Sequence, residues 1–283
     1  MKYILSFSFL FLLVSSCQFS GVDKIPDDKT SSDDTNNTRK GEPQPKKKVE
    51  LAITDTLKIE KGIVIMYRKY GVGNQVKTND VVLVDYACKL EDGKVFDTNE
   101  KMQKPVPFMV GWSLQTPGWD IVFPYLKEGD EVEVYLPADM ARGKKGIPNL
   151  VPPNSPNIIS LKIDKIIQAD YEKEGVKTYV INRGKETEKL KPNQEILIDY
   201  FANSKSFPRY DNSFKNGKPY QMTIGAKNNL AGLNIGLENA QLGDKLWIVI
   251  PPKKAFGSEG YLNYVKPNES VFFDLRVLKV LEK

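Results

Sequence analysis

Val81-Val82-Leu83-Val84-Asp85-Tyr86-Ala87-Cys88-Lys89-Leu90 carries an apolar side chain at every even position, and Glu91-Asp92-Gly93-Lys94 follows it. An apolar period of two marks a half-buried strand, and Asp-Gly after such a run is a hairpin turn signal. The neighbourhood of this stretch returns further along the chain at a constant offset. Tyr86 recurs as Tyr200 (200 − 86 = 114), Asp97 as Asp211, Gly111 as Gly225, Gly118 as Gly232, Gly129 as Gly243 and Pro137 as Pro251. Ala141-x-Gly143 recurs as Ala255-x-Gly257, and Pro153-Asn154 as Pro267-Asn268. Glycine and proline set the path of the backbone, so one offset shared by these landmarks means two copies of one fold joined head to tail. A period of 114 residues is too long for a solenoid unit of about 20–50 residues and suits one ordinary domain of about 100–150.

Working outward, each copy reads as antiparallel sheet with one short helix. The further strands expected in the first are Val106–Val110, Glu131–Leu136 and Ile158–Ile167. In the second they are Glu195–Phe201, Tyr220–Ile224, Lys245–Ile250 and Val271–Val280. Trp119, Val122, Phe123 and Leu126 recur at i, i+3, i+4 and i+7, which predicts a helix ending at Gly129. Leu233, Gly236, Leu237 and Ala240 predict its counterpart, ending at Gly243. The fold class is therefore α+β, each sheet wrapped around a short helix. Residues 51–168 form the first domain and 169–283 the second.

Ahead of residue 51 the chain changes character. Met1-Lys2 is a cationic start, Ile4 to Val14 is an apolar run too short for a comfortable membrane span, and Val14-Ser15-Ser16 precedes Cys17. Residues 1–16 read as a signal peptide. Val-Ser-Ser-Cys resembles the lipobox of bacterial lipoproteins, which implies lipidation of Cys17; an ordinary secretory signal with an incidental cysteine is the other reading. Residues 17–50 are rich in Asp, Ser, Asn, Pro and Lys, a composition that buries too little to order itself, so a disordered tether is expected. The net charge of +5 and the run Lys46-Lys47-Lys48 read as solvation or attraction to anionic headgroups, and no nucleic-acid partner is expected.

The chain contains no histidine and two cysteines, Cys17 and Cys88. Ser–His–Asp triads, Cys–His dyads and histidine metal sites are thereby excluded. Cys88 lies on the apolar face of its strand and reads as a small buried hydrophobe with no disulfide partner.

The full series is Tyr86, Asp92-Gly93-Lys94-Val95-Phe96-Asp97-Thr98, Gly111, Gly118-Trp119, Leu126-x-x-Gly129, Pro137-x-x-x-Ala141-x-Gly143 and Val151-Pro152-Pro153-Asn154. In order and spacing it resembles an FKBP-type peptidyl-prolyl cis-trans isomerase domain. The first copy matches from about Gly62 to Ile167, the second from about Gly175 to Val280. The resemblance implies a proline pocket floored by Trp119 and walled by Tyr86, Phe96 and Phe108. Leu150, Val151 and Ile159 close it, the backbone N–H of Thr116 donates to a substrate carbonyl, and Asp97 sits at the rim. Three positions depart from the family: Val106 and Ile159 stand where aromatics are usual, and Arg142 stands where a tyrosine hydroxyl is usual.

In the second copy the implied pocket comprises Tyr200, Tyr210, Asp211, Tyr220, Met222, Leu230, Leu233, Phe256, Tyr264, Val265 and Phe273. There Leu233 replaces the floor tryptophan, and Phe256 holds the tyrosine position without a hydroxyl. For each of these side chains core packing is the competing reading. The expected function is isomerisation of X–Pro bonds in exported proteins, by a lipid-anchored monomer of the bacterial envelope that needs no cofactor and no metal. The alternatives are a non-catalytic binding or chaperone module and a scaffold in an envelope complex.

Overall fold

The computed structural model describes residues 51–281. The leader, Cys17 and the tether through residue 50 lie outside the described residues. The first half runs β1 (Asp55–Lys58), β2 (Val64–Lys69), β3 (Val81–Lys89), β4 (Val95–Thr98), β5 (Val106–Met109), α1 (Pro117–Val122), β6 (Glu131–Leu136) and β7 (Asn157–Ile167). The second runs β8 (Tyr171–Lys173), β9 (Val176–Asn182), β10 (Glu195–Ser204), β11 (Asp211–Asn212), β12 (Tyr220–Thr223), α2 (Ala231–Leu237), β13 (Lys245–Ile250) and β14 (Val271–Leu281). The offset of 114 holds at both ends of β6/β13 and of β7/β14.

Each half is a seven-stranded antiparallel sheet. The first has the order β1-β2-β6-β7-β3-β4 with β5 also on β3, and the second the order β8-β9-β13-β14-β10-β11 with β12 also on β10. Strand β3 is the pivot of the first sheet. Its first part, Val81–Val84, pairs with β5, and its last part, Ala87–Lys89, pairs with β4. A register shift against β7 falls between Leu83 and Val84, and its counterpart against β14 falls between Leu197 and Ile198. An irregularity of this kind bends a strand, which lets one edge serve two partners.

Alternation along β6 turns Val132, Val134 and Leu136 toward α1, where they meet Trp119, Val122 and Phe123 in one core. The expected helix is corrected in length. Its stripe Trp119, Val122, Phe123 and Leu126 is buried throughout, but α1 ends at Val122. A proline within a helix lacks the N–H it should donate and clashes with the preceding turn. Pro124 therefore diverts the chain through a 3-10 turn, Phe123–Tyr125, and Leu126 is extended (φ −104°, ψ 157°). The second helix also stops early, at Leu237, with Ala240 buried beyond its end.

Six strands were not anticipated: β1, β2, β4, β8, β9 and β11. All four residues of β1 are exposed, so it shows no alternation. In β2 Val64-Ile65-Met66-Tyr67 is apolar on both faces. The others are short, save β9, where Tyr179 turns to a second core.

That second core joins the halves. Val81, Met109 and Trp112 of the first and Tyr179, Trp247 and Phe272 of the second form one buried cluster, with Ile167 at the end of β7 and Ala169 of the connection packed against it. The Trp112 and Phe272 ring centroids lie 5.5 Å apart, and those of Trp247 and Phe272 5.7 Å apart. The Lys205 ammonium sits 5.5 Å from the Trp112 ring centroid, within cation–π range. Trp247 and Phe272 are thus buried on the sheet face opposite α2, while Leu246, Ile248, Val271 and Phe273 serve the core around α2.

Candidate active site

Trp119 sits in the first turn of α1, where Pro117 starts the helix and Thr116 is the residue before it. The indole is 5% exposed and is held on three sides by rings. Tyr86 of β3 meets it edge-on at 5.5 Å, Phe108 of β5 lies at 5.3 Å and Phe123 at 6.0 Å. Its remaining side faces an open hollow of about 200 Å³ lined by Cys88, Phe96, Thr116, Trp119, Leu136, Arg142, Asn157 and Ile159.

Five residues implied by the resemblance therefore share the hollow: Phe96, Thr116, Trp119, Arg142 and Ile159. Tyr86 and Phe108 stand behind the indole and fix it. Val151 is buried and Leu150 half-buried in the loop before β7, and neither lines the hollow. Three lining residues were not foreseen as site residues. Leu136 is the last inward residue of β6, and Cys88 an inward residue of β3. Asn157, which opens β7, is buried and donates to the Pro156 carbonyl at 2.9 Å. Its counterpart Val271 is apolar, so the repeat gave no signal for it.

The polar groups are specific. The carbonyl of Thr116 accepts the Trp119 N–H at 3.0 Å, while no group among the described residues accepts the N–H of Thr116. The Tyr86 hydroxyl donates to Asp97 Oδ1 at 3.1 Å. Burial first, and then the Asp97 carboxylate, hold the Tyr86 hydroxyl well above its ordinary ionisation range. Burial likewise pushes the Cys88 thiol up to about 12, so it is an inert wall rather than a nucleophile.

A loop after β6 carries Arg142 over the hollow. Its 3-10 turn, Ala138–Met140, is followed by Gly143 at φ +60°, whose N–H donates to the Ala138 carbonyl at 2.7 Å. The Asn154 N–H then donates to the Gly143 carbonyl at 2.9 Å. This bond joins the Ala-x-Gly and Pro-Asn motifs, and Asn268 repeats it to Gly257 at 2.8 Å. Arg142 itself donates to Gln115 Oε1 at 3.3 Å.

The second half keeps the frame and changes the filling. Tyr200 donates to Asp211 Oδ2 at 2.7 Å, and Lys215 pairs with Asp211 Oδ1 at 3.1 Å. Tyr220 and Phe273 each lie 5.8 Å from Tyr200. Leu233, Met222, Val265 and Phe273 are buried, and Leu230 precedes α2 as Thr116 precedes α1. Phe256, at the position of Arg142, stacks on Tyr261 at 4.8 Å. Tyr210, at the position of Phe96, is buried and stacks on Tyr264 at 6.3 Å. Tyr261 was not foreseen, although its place between Phe256 and Tyr264 made an aromatic run visible.

A profile of the FKBP-type peptidyl-prolyl cis-trans isomerase family matches residues 73–164 and again residues 186–278. FK506-binding protein 4 of Neurospora crassa is 38% identical over 113 residues, covering 40% of this chain and 24% of its own length. A probable FKBP-type peptidyl-prolyl cis-trans isomerase, FkpA, of Neisseria meningitidis is 34% identical over 140 residues, covering 49% of this chain and 50% of its own. The chain thus spans about a quarter of the first fungal relative and half of the bacterial one. A crystal structure of the three FKBP domains of wheat FKBP73 aligns with a TM-score of 0.41 at 20% identity, over 81% of this chain and 100% of that one.

Proposed function

We propose, from the premise that this chain belongs to the FKBP-type peptidyl-prolyl cis-trans isomerase family, that its first half accelerates rotation about X–Pro bonds. The observation that carries this reading is the indole of Trp119, held by three rings and left open on its fourth side beside the N–H of Thr116, which no group among the described residues accepts.

The chemistry asks for little more. Rotation about the bond breaks amide resonance, a barrier of about 18–20 kcal/mol. Uncatalysed, it takes tens to hundreds of seconds. Water favours the planar, polarised ground state, and the twisted amide is less polarised. A site that seats the proline ring on apolar surface and withdraws the amide from water therefore favours the twisted form. Trp119 and Phe96 supply contact to the ring, and the Thr116 N–H holds a neighbouring carbonyl. No proton is transferred and no covalent bond is made.

For the second half, a holding role is favoured by its own geometry. Leu233 gives no flat floor, and Phe256 and Tyr210 spend their faces on Tyr261 and Tyr264. Its exposed rings, Tyr220, Tyr261 and Tyr264, suit transient capture of apolar, proline-containing segments.

The same reading holds the protein, as a monomer, at the bacterial envelope through lipid on Cys17, with exported polypeptides as its substrates. Its support is the sequence Val14-Ser15-Ser16-Cys17 after an apolar run. Cells fed labelled palmitate should label the native chain and not Cys17→Ser; equal labelling of both would remove the anchor. The activity itself is tested by NMR exchange on short X–Pro peptides with catalytic amounts of the protein. Faster cis–trans exchange is expected. Unchanged exchange with peptide signals broadened by binding would leave a proline-segment binder instead.

A further inference from the structure

We infer that Arg142 makes the first hollow selective for prolines flanked by an acidic residue, an inference that rests on the isomerase reading above. Three observations support it. The first is placement: Arg142 lines the hollow together with Trp119, Phe96 and Thr116. Its tie to Gln115 Oε1 at 3.3 Å holds the guanidinium close to Thr116, which lines the same hollow.

The second is unspent donor capacity. A guanidinium carries five N–H donors in a planar fork that matches a carboxylate. Among the described residues Arg142 has one hydrogen-bond partner, the neutral amide of Gln115, and no carboxylate within ion-pair distance. The Asp97 carboxylate, which acts with Arg142 on Tyr86 and Cys88, makes no ion pair with Arg142 and accepts from the Tyr86 hydroxyl. The loop from Pro137 to Gly146 adds Lys144 to Arg142, against the single acid Asp139. A half-buried cation with no carboxylate in ion-pair contact can take one from the bound segment.

The third is the comparison within the molecule. The corresponding residue of the second half is Phe256, whose ring is committed to Tyr261. Selection for an acidic neighbour therefore belongs to the first hollow alone. Its pairing partner is a carboxylate on the residue before or after the proline, close enough to reach the rim while the ring rests on Trp119.

The test measures catalysed exchange on peptides that differ only beside the proline: Glu-Pro, Pro-Glu, Leu-Pro and Lys-Pro. It uses the full chain, Arg142→Gln and Arg142→Lys. The native protein should show a kcat/KM for one of the glutamate peptides about fivefold above Leu-Pro, carried in KM, with Lys-Pro lowest. The preference should shrink in high salt, which screens the pair. It should vanish in Arg142→Gln and return in part in Arg142→Lys, which a merely structural Gln115 contact would not require. No preference for either glutamate peptide, or one that persists in Arg142→Gln, overturns the inference. If no peptide is accelerated, the isomerase reading fails separately. Selectivity is then read from peptide affinity by Trp fluorescence. Tighter binding of a glutamate peptide to the native chain than to Arg142→Gln sustains it, and equal affinities overturn it.

Discussion

Leu233 occupies in the second half the place that Trp119 holds in the first, so the protein contains its own natural substitution experiment. Trp119→Leu should lower catalysed exchange at least tenfold if the flat indole is what the proline ring rests on. The same change removes a buried side chain that touches three rings, at a cost of about 1–3 kcal/mol, read as a lower urea midpoint. Exchange that survives the substitution would move the active surface elsewhere. Buried ionisable groups make a second prediction. The Cys88 thiol ordinarily ionises near 9.0 and is pushed by burial to about 12. Below pH 9 both folded and unfolded chains keep that proton. Between about 9 and 12 the unfolded thiol loses it and the folded one does not, so stability falls across that window. Burial shifts Tyr86, Tyr200 and Tyr210 upward from 10.0, adding to the loss above pH 10. The urea midpoint should therefore be lower at pH 10.5 than at pH 8, and an unchanged midpoint would contradict the burial of these groups.

Helix α2 lies so close to β13 that a methyl group has no room between them. A Cβ on Gly232 would come within 2.1 Å of Ile250 Cγ2, and one on Gly118 within 2.5 Å of Leu136 Cδ2 and 2.9 Å of the Met140 carbonyl oxygen. In an exposed helix Gly→Ala gains up to about 1 kcal/mol. Here Gly232→Ala should instead cost about 1–3 kcal/mol, since overpacking forces the helix off its sheet; a raised thermal midpoint would refute the close approach. This spacing explains what could and could not be read in advance. Landmarks tied to backbone path, such as Gly118/Gly232 and Ala141-x-Gly143/Ala255-x-Gly257, recur because the same contact recurs, and they located the strands around them. The repeat also held a signal that went unread. Asp130 and Asp244 are one offset apart, both buried, and each accepts two backbone N–H bonds, from Gly71 and Lys127 and from Gly184 and Gln241. Edge strand β1 was not legible because all its side chains are exposed, and the end of α1 was misread because burial continued to Leu126 while the backbone, stopped by Pro124, did not. Asn157 and Leu136 entered the hollow from strand ends, where no pattern of period two or 3.6 singles a residue out.

The joint between the two sheets is closed to solvent, Trp112 and Phe272 both being fully buried there. The halves should consequently unfold as one unit in calorimetry. Trp112→Ala opens the joint and should cost about 3–5 kcal/mol, splitting the endotherm in two as each sheet melts on its own core. A single endotherm at the native temperature would show that the joint contributes nothing. The order in which this joint is completed has a further consequence. Phe272 follows Trp112 by 160 residues (272 − 112 = 160) and arrives on β14. A ribosome adds about 5–20 residues per second, so the first sheet can close while its Trp112 face waits roughly 8–30 seconds for its cover. During that interval a nascent chain of this kind presents a bare tryptophan patch to its surroundings, and is itself in need of the sort of shelter that its finished form is proposed to give to others.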